Sequence, residues 1–104
     1  MFLDKYLNQV YLDLLYDKYE EWYLRNLDEN KFMDIYNLFK EYGFYFINDI
    51  IIYYLEIFEY DKEMVNKGIL ELKEKLGENF VYIIGNNLSY LEQIKNLVNN
   101  NLAM

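Results

Sequence analysis

The chain has 104 residues, of which 54% are hydrophobic and 20% aromatic, and its formal net charge is −8. A chain this apolar is not intrinsically disordered, and its length predicts a single domain over residues 1–104. Cysteine and histidine are both absent, which excludes disulfides, histidine-activated nucleophiles and the usual zinc ligands.

The first predicted element is one long helix from Phe2 to about Asn26. Apolar residues recur there at spacings of three and four, with a second stripe beside the first. The first stripe is Leu3, Leu7, Val10, Leu14 and Leu15, and the second is Leu12, Tyr16, Tyr19 and Tyr23. Asp13, Asp17 and Glu20 occupy the narrow polar face that is left. A helix this apolar packs on two sides or keeps one side for a partner.

The next two predicted helices are separated from the first by a break at residues 27–30. Asp28 is expected to cap a helix over about residues 29–42, which Gly43 ends in a left-handed conformation. A third helix is expected over about residues 45–60, with Asp49 in its first turn. Thirteen of the residues 44–60 are hydrophobic, and a strand of that length without alternation would be unusual.

Capping signals predict the fourth and fifth helices. Asp61 is expected to cap a helix over about residues 62–76, which ends at Gly77. A short helix over about residues 78–84 then follows. Together with the segments before them, these elements predict an all-α fold.

The last predicted helix covers about residues 90–98. Ser89 and Glu92 have the spacing of a capping box at its start. The tail, residues 99–104, is expected to fray. The complete prediction is a compact array of about five to six helices.

A pattern that returns after 34 residues adds a detail to this fold. The pattern from Leu38 to Ile50, with its central Gly43, returns between Leu72 and Ile84 around Gly77. A fixed period of this size is typical of helical repeats that stack on their neighbours. The array is therefore predicted to contain one and a half stacked repeats behind the long N-terminal helix.

Part of the sequence resembles the repeat of mitochondrial transcription termination factors. The resemblance is carried by residues 38–44, by the pair Asp49-Ile50, and by residues 70–77. The resemblance covers about residues 38–91, and the proline that this repeat usually carries near Tyr54 is absent. It implies a curved helical array that binds nucleic acid through a basic concave face. Residues 38–63 carry two Lys and six acids, so direct nucleic-acid binding is not predicted, because it depends on cationic side chains. No residue role is transferred from the family.

The acidic charge is confined to one part of the chain. Residues 1–63 contain fourteen Asp and Glu against six Lys and Arg, whereas residues 64–104 contain four of each. Such asymmetry sets a long-range field that selects partners. The sequence therefore predicts a small acidic protein without catalytic activity that binds a basic surface of another protein. One form of this prediction is an inhibitor that occupies a nucleic-acid-binding cleft by mimicking phosphate charge. The composition resembles that of small phage-encoded anti-defence inhibitors, such as anti-CRISPR proteins.

Acids and tyrosines of the N-terminal part are the candidate partner-binding residues, because tyrosine dominates interface hot spots and acids steer a basic partner. They are Asp13, Tyr16, Asp17, Glu20, Tyr23, Asp28 and Glu29. Two simpler interpretations stay open: the tyrosines are core residues, and the acids are the solvated side of a helix. No cofactor, metal or catalytic residue is predicted.

An alternative function is self-association, in which the wide apolar face of the first helix pairs with a second copy. The most apolar run, residues 44–60, contains Asn48, Asp49, Glu56 and Glu59. It therefore predicts a buried helix rather than a membrane span. The N-terminus has no features of a secretory signal, and the cytoplasm is the expected location.

Overall fold

A computed structural model describes residues 1–102, and the side chains of residues 1–100, as helices joined by short turns. The α-helices are α1 (Gln9–Lys18), α2 (Glu21–Arg25), α3 (Glu29–Glu41), α4 (Ile47–Tyr53), α5 (Lys62–Leu76), α6 (Phe80–Asn86) and α7 (Glu92–Leu102). Three short 3₁₀ helices cover Phe2–Lys5, Leu55–Glu59 and Leu88–Leu91. No strand occurs in this part of the chain, and the all-α prediction is confirmed.

The N-terminal segment is three short helices, and the prediction of one helix from Phe2 to Asn26 was wrong. Asn8 starts α1 anew, because its side chain accepts a hydrogen bond from the backbone N–H of Tyr11 at 3.2 Å. Tyr19 and Glu20 then have extended backbones, with ψ of 146° and 142°. An apolar spacing can continue across such breaks, so periodicity alone did not locate them.

Helix α3 confirms the helix predicted over residues 29–42, and its end lies one residue earlier than predicted. The Oδ1 atom of Asp28 accepts hydrogen bonds from the backbone N–H groups of Asn30, at 2.9 Å, and Lys31, at 3.2 Å. These bonds satisfy two donors that every helix start leaves open. Gly43 follows the helix with a φ of +83°, as predicted.

The third predicted helix is helical but interrupted. Helix α4 ends at Tyr53, Tyr54 departs from helical geometry with φ −138° and ψ 41°, and a 3₁₀ helix follows. Buried side chains lie on both sides of this break: Ile50, Ile51, Ile52, Leu55, Ile57 and Phe58. A straight helix would spread these residues around its circumference, and the break lets both runs face the core. Asp49 lies in the first turn of α4, as predicted.

Helix α5 matches the predicted range of residues 62–76. Asp61 occupies the position before it, but its side chain makes no capping hydrogen bond, so that detail of the prediction was wrong. Gly77 ends the helix with φ +87° and ψ −166°, a region of backbone space that only glycine enters without strain. Helix α6 starts and ends two residues later than predicted.

The start of the last helix was predicted at the wrong cap. Asn87, and not Ser89, supplies the acceptor: its Oδ1 atom bonds the backbone N–H of Ser89 at 3.2 Å and the Ser89 hydroxyl at 2.6 Å. Ser89 itself lies within a 3₁₀ helix, so α7 begins at Glu92. Helix α7 continues to Leu102, which contradicts fraying at residues 99–102, and residues 103–104 lie outside the described residues.

The recurrence in the sequence corresponds to a recurrence of elements. A long helix, a glycine with positive φ, a short helix and a 3₁₀ helix follow one another twice, first from α3 and then from α5. Equivalent side chains are buried in both copies: Leu38 and Leu72, Phe46 and Phe80, Ile50 and Ile84. Helix α5 packs between α3 and α7.

One continuous core joins the N-terminal helices to this array, since buried residues from Leu3 to Ile94 belong to a single cluster. Helix α1 packs against α4, where the Lys18 ammonium lies 4.7 Å from the ring centre of Tyr53. Other positions along α1 are exposed, among them Asp13, Tyr16 and Asp17. These three belong to the residues predicted to bind a partner.

Candidate protein-interaction surface

The turn between α1 and α2 brings together several of the predicted partner-binding residues. Tyr16, Asp17 and Glu20 line a shallow depression of about 270 Å³, together with Lys18, Tyr19 and Glu21. Asp13 lies one turn before Asp17 on the same side of α1 and is exposed. The structure therefore groups four predicted residues on one surface.

These carboxylates differ in whether they already have a hydrogen-bond or ion-pair partner within the chain. Asp13 accepts a hydrogen bond from the Gln9 side chain at 2.7 Å. The carboxylates of Asp17 and Glu20 make no hydrogen bond or ion pair within residues 1–100. Two carboxylates on this surface are thus available to a cation from outside the chain.

Exposed aliphatic side chains lie beside these acids. Val10 is 68% exposed and Leu14 is 42% exposed, whereas Leu3, Leu7 and Leu15 are buried, so the first predicted stripe is packed only in part. The break at Asn8 turns α1 so that Leu12 and Leu15 face the core instead. Val10, Leu14, Asp13 and Asp17 are spaced three or four residues apart along α1, which makes them neighbours on the helix surface. We call Val10, Asp13, Leu14, Tyr16, Asp17 and Glu20 the acidic face.

Tyr23 lies in a different environment. Its hydroxyl donates a hydrogen bond to the Oε2 atom of Glu59 at 2.5 Å, and its ring stacks on that of Tyr19 with centres 5.5 Å apart. Nearby, the Lys95 ammonium lies 2.9 Å from Glu56. Sequence reasoning missed this arrangement, since Glu59 is 36 residues from Tyr23 and no local pattern pairs them.

Burial controls the ionisation of these tyrosines. Burial first, then the hydrogen bond and the charge of Glu59, raise the pKa of Tyr23 well above its ordinary value of 10.0. Burial and the charge of Glu56 likewise raise the pKa values of Tyr19 and Tyr60. These phenols are therefore held neutral next to carboxylates, which fits a structural role.

The two remaining predicted residues contribute to the fold. Asp28 caps α3, and Glu29 pairs with the Lys5 ammonium at 3.2 Å, which ties α3 to the N-terminal 3₁₀ helix. The predicted set therefore divides between the acidic face, the Tyr23–Glu59 contact and the start of α3.

No protein-family model, curated protein or solved structure matches this chain. The resemblance to termination factors accordingly stays a prediction. None of the helices within residues 1–102 has the length and apolarity to cross a bilayer. In the same part of the chain, no three carboxylates are grouped so that they could hold a metal ion.

The hydrogen bond of Tyr23 gives a prediction about alkaline pH. Because the folded chain holds the phenol proton more tightly than the unfolded chain, the stabilisation is complete below about pH 10 and decreases as the pH rises further. Tyr23→Phe should lower the free energy of unfolding by about 1 kcal/mol at pH 7. It should also make the loss of stability between about pH 10 and 11 shallower than in the wild type.

Urea denaturation at pH 7 and in that alkaline range measures both effects. Tyr82→Phe is the matched control, because Tyr82 is 67% exposed and its hydroxyl makes no hydrogen bond among the described residues. An alkaline loss of stability equally steep in Tyr23→Phe and the wild type would contradict the role given to Tyr23.

Proposed function

We propose that this chain is a small, non-catalytic binding module that acts in the cytoplasm and docks its acidic face onto a basic surface of another protein. The observation that carries the proposal is the unpaired state of Asp17 and Glu20 on an exposed surface. Carboxylates that are not neutralised within the chain keep their full attraction for a partner's Lys or Arg.

The exposed aliphatic side chains support docking of a protein in particular. Val10 and Leu14 lie next to Asp13 and Asp17 on α1, so a partner that pairs with the acids also covers apolar surface. Burial of apolar area contributes about 25 cal/mol per Å², while the charges set orientation and speed of encounter. The combination is typical of an interface and is less useful for solubility alone.

The charge asymmetry supports a more specific form of this proposal. Since residues 1–63 carry the whole net charge of −8, the basic surface that fits them best is one built to bind nucleic acid. The chain would then inhibit its partner by covering the site that phosphates otherwise occupy.

Isosteric neutralisation of the acidic face tests the proposal. The variant Asp13→Asn, Asp17→Asn, Glu20→Gln should bind the partner about tenfold more weakly, from roughly 0.5 kcal/mol for each exposed pair. The partner is first isolated by affinity purification at about 0.1 M salt and identified, and its nucleic-acid binding is measured with and without the chain. The wild type should compete with nucleic acid for it.

A control variant with the same change of net charge distinguishes a contribution of the acidic face from an effect of the net charge of the chain. Glu71, Glu74 and Glu78 are exposed and lie in or just after α5, so Glu71→Gln, Glu74→Gln, Glu78→Gln should bind like the wild type. Equal weakening in both triple variants would contradict a localised face. So would binding that is undiminished at about 1 M salt, where the Debye length is ~3 Å.

Self-association through α1 is the second candidate, and the exposure of Val10 and Leu14 is the observation in its favour. Asp13 and Asp17 lie on the same stripe, however, so a two-fold pairing of this face would bring like charges together. We therefore expect a monomer at micromolar concentration by sedimentation. A dimer that dissociates in Val10→Glu would instead establish self-association and contradict the docking proposal.

A further inference from the structure

A cleft of about 230 Å³ lies between the loop after α2 and the 3₁₀ helix Leu55–Glu59. Its lining residues are Asn26, Leu27, Asp28, Lys31, Phe32, Phe58 and Glu59. Phe32 and Phe58 are stacked with ring centres 4.7 Å apart, and each is 1% exposed. The interior of the cleft is therefore the surface of the packed core, which makes its shape preformed.

Each of the two acids that line the cleft keeps one carboxylate oxygen free. Asp28 accepts both of its capping bonds at Oδ1, and Glu59 accepts the Tyr23 hydroxyl at Oε2. The second oxygen of each has no partner within residues 1–100. The cleft is thus lined by two acids, each of which keeps one unpaired carboxylate oxygen.

The one cation in the cleft is already engaged. The Lys31 ammonium donates to the backbone carbonyl of Glu59 at 3.4 Å and makes no ion pair with either acid. The lining therefore has two negative groups and one positive group, in a chain whose field is already negative. An incoming anion is disfavoured and a single positive charge is favoured.

We infer that this cleft receives one basic side chain, Arg or Lys, of the partner that docks on the acidic face, and the inference rests on the proposed function. The methylene stem of such a side chain lies in the cleft while its charged end reaches the free carboxylate oxygens. A buried basic anchor of this kind is a common centre of binding energy at interfaces.

The position of the cleft fits this role. Glu20 of the acidic face precedes α2, and Asn26 of the cleft follows it, where its side chain donates to the Trp22 carbonyl at 2.6 Å. Helix α2 has five residues, which correspond to about 7.5 Å along its axis. A separation of this size is short enough for one partner segment to span.

A small probe tests the cleft by itself. N-acetyl-arginine-N-methylamide, whose only charge is on its side chain, should shift the NMR signals of residues 26–32 and 58–59 at millimolar concentration. The uncharged N-acetyl-norleucine-N-methylamide should not. Shifts confined to the acidic face, or equal shifts with both compounds, would overturn the inference.

Two variants keep the fold and change only the charge of the cleft. Asp28→Asn retains a good N-cap, and Glu59→Gln retains an acceptor for Tyr23, so the double variant should fold normally. It should bind the arginine probe about fivefold more weakly, corresponding to about 1 kcal/mol for two pairs. Lys31→Met, which keeps the apolar stem, should bind the probe about threefold more tightly because a competing positive charge is gone.

The opposite effects of these variants on binding would identify a different ligand. If Lys31→Met weakens binding and inorganic phosphate shifts the cleft signals, the cleft is an anion site and the inference is overturned. The acidic-face triple variant should bind the probe like the wild type.

Partner binding separates the two proposals. A partner that is lost with the acidic-face variant but retained by Asp28→Asn, Glu59→Gln supports the proposed function and overturns the cleft inference. A probe that binds the cleft while no basic partner depends on the acidic face overturns the proposed function. Loss of the partner with either set of changes supports both.

Discussion

Phe58→Ala is expected to lower the free energy of unfolding by about 3–5 kcal/mol. Phe58 is 1% exposed, stacks on Phe32, and meets the ring of Phe39 edge-on with centres 5.5 Å apart. Its removal deletes a large buried surface and leaves a cavity between α3 and the 3₁₀ helix. Since a domain of this size has a total stability of about 5–15 kcal/mol, the variant should lose a large part of its stability.

Chemical denaturation followed by far-ultraviolet circular dichroism measures this loss. Tyr82→Ala is the control for removing an aromatic ring, because Tyr82 is 67% exposed, and it should change stability by no more than about 0.5 kcal/mol. Phe58→Leu, which refills part of the space, should lie between the two. A loss below about 1 kcal/mol in Phe58→Ala would mean that the 3₁₀ helix collapses onto α3 and that the ring contacts are not essential.

The parts of the fold that the sequence predicted correctly are those with a local chemical signal. Asp28 can cap a helix wherever it is placed, because its carboxylate needs only the next two or three backbone N–H groups. Gly43 and Gly77 end helices because they tolerate positive φ. These signals depend on neighbouring residues, so no knowledge of tertiary contacts was necessary.

The breaks at Tyr19 and Tyr54 lack such a signal. Neither residue is glycine, proline or a good capping residue, and both lie in runs that would otherwise continue a helix. Packing accompanies both breaks: the ring of Tyr19 stacks on that of Tyr23 across the turn, and the residues after Tyr54 turn back to the core. A gain in burial that depends on distant elements is not visible in a single sequence.

The candidate surface was predictable to a similar extent. Exposure of Asp13, Asp17 and Glu20 followed from charge and helical spacing. Exposure of Val10 and Leu14 did not, because it depends on how α1 is rotated after Asn8. The cleft was not predictable either, since Asp28 and Glu59 meet only through the packing of Phe58 on Phe32.

Helix α5 provides the second large effect, because it has no room for a side chain at Gly68. A Cβ atom at this position would lie 2.8 Å from the Cγ1 atom of Ile94 on α7, and Ile94 is fully buried. Alanine normally stabilises a helix interior by about 1 kcal/mol over glycine. Overpacking costs about 1–3 kcal/mol, so Gly68→Ala should destabilise by about 1 kcal/mol and Gly68→Val by about 3 kcal/mol.

A double-mutant cycle with Ile94→Ala determines whether contact with Ile94 causes the destabilisation by Gly68→Ala. Ile94→Ala alone should cost about 2–5 kcal/mol, but it removes the atom that Gly68→Ala meets. In that background Gly68→Ala should therefore become stabilising, which gives a coupling energy of about 1–3 kcal/mol. Lys67→Ala on the exposed side of α5 should show no such coupling. If Gly68→Ala stabilised the wild type by the full helix preference, α5 and α7 would have to move apart at no cost. The close contact between them would then not limit the packing of the C-terminal half.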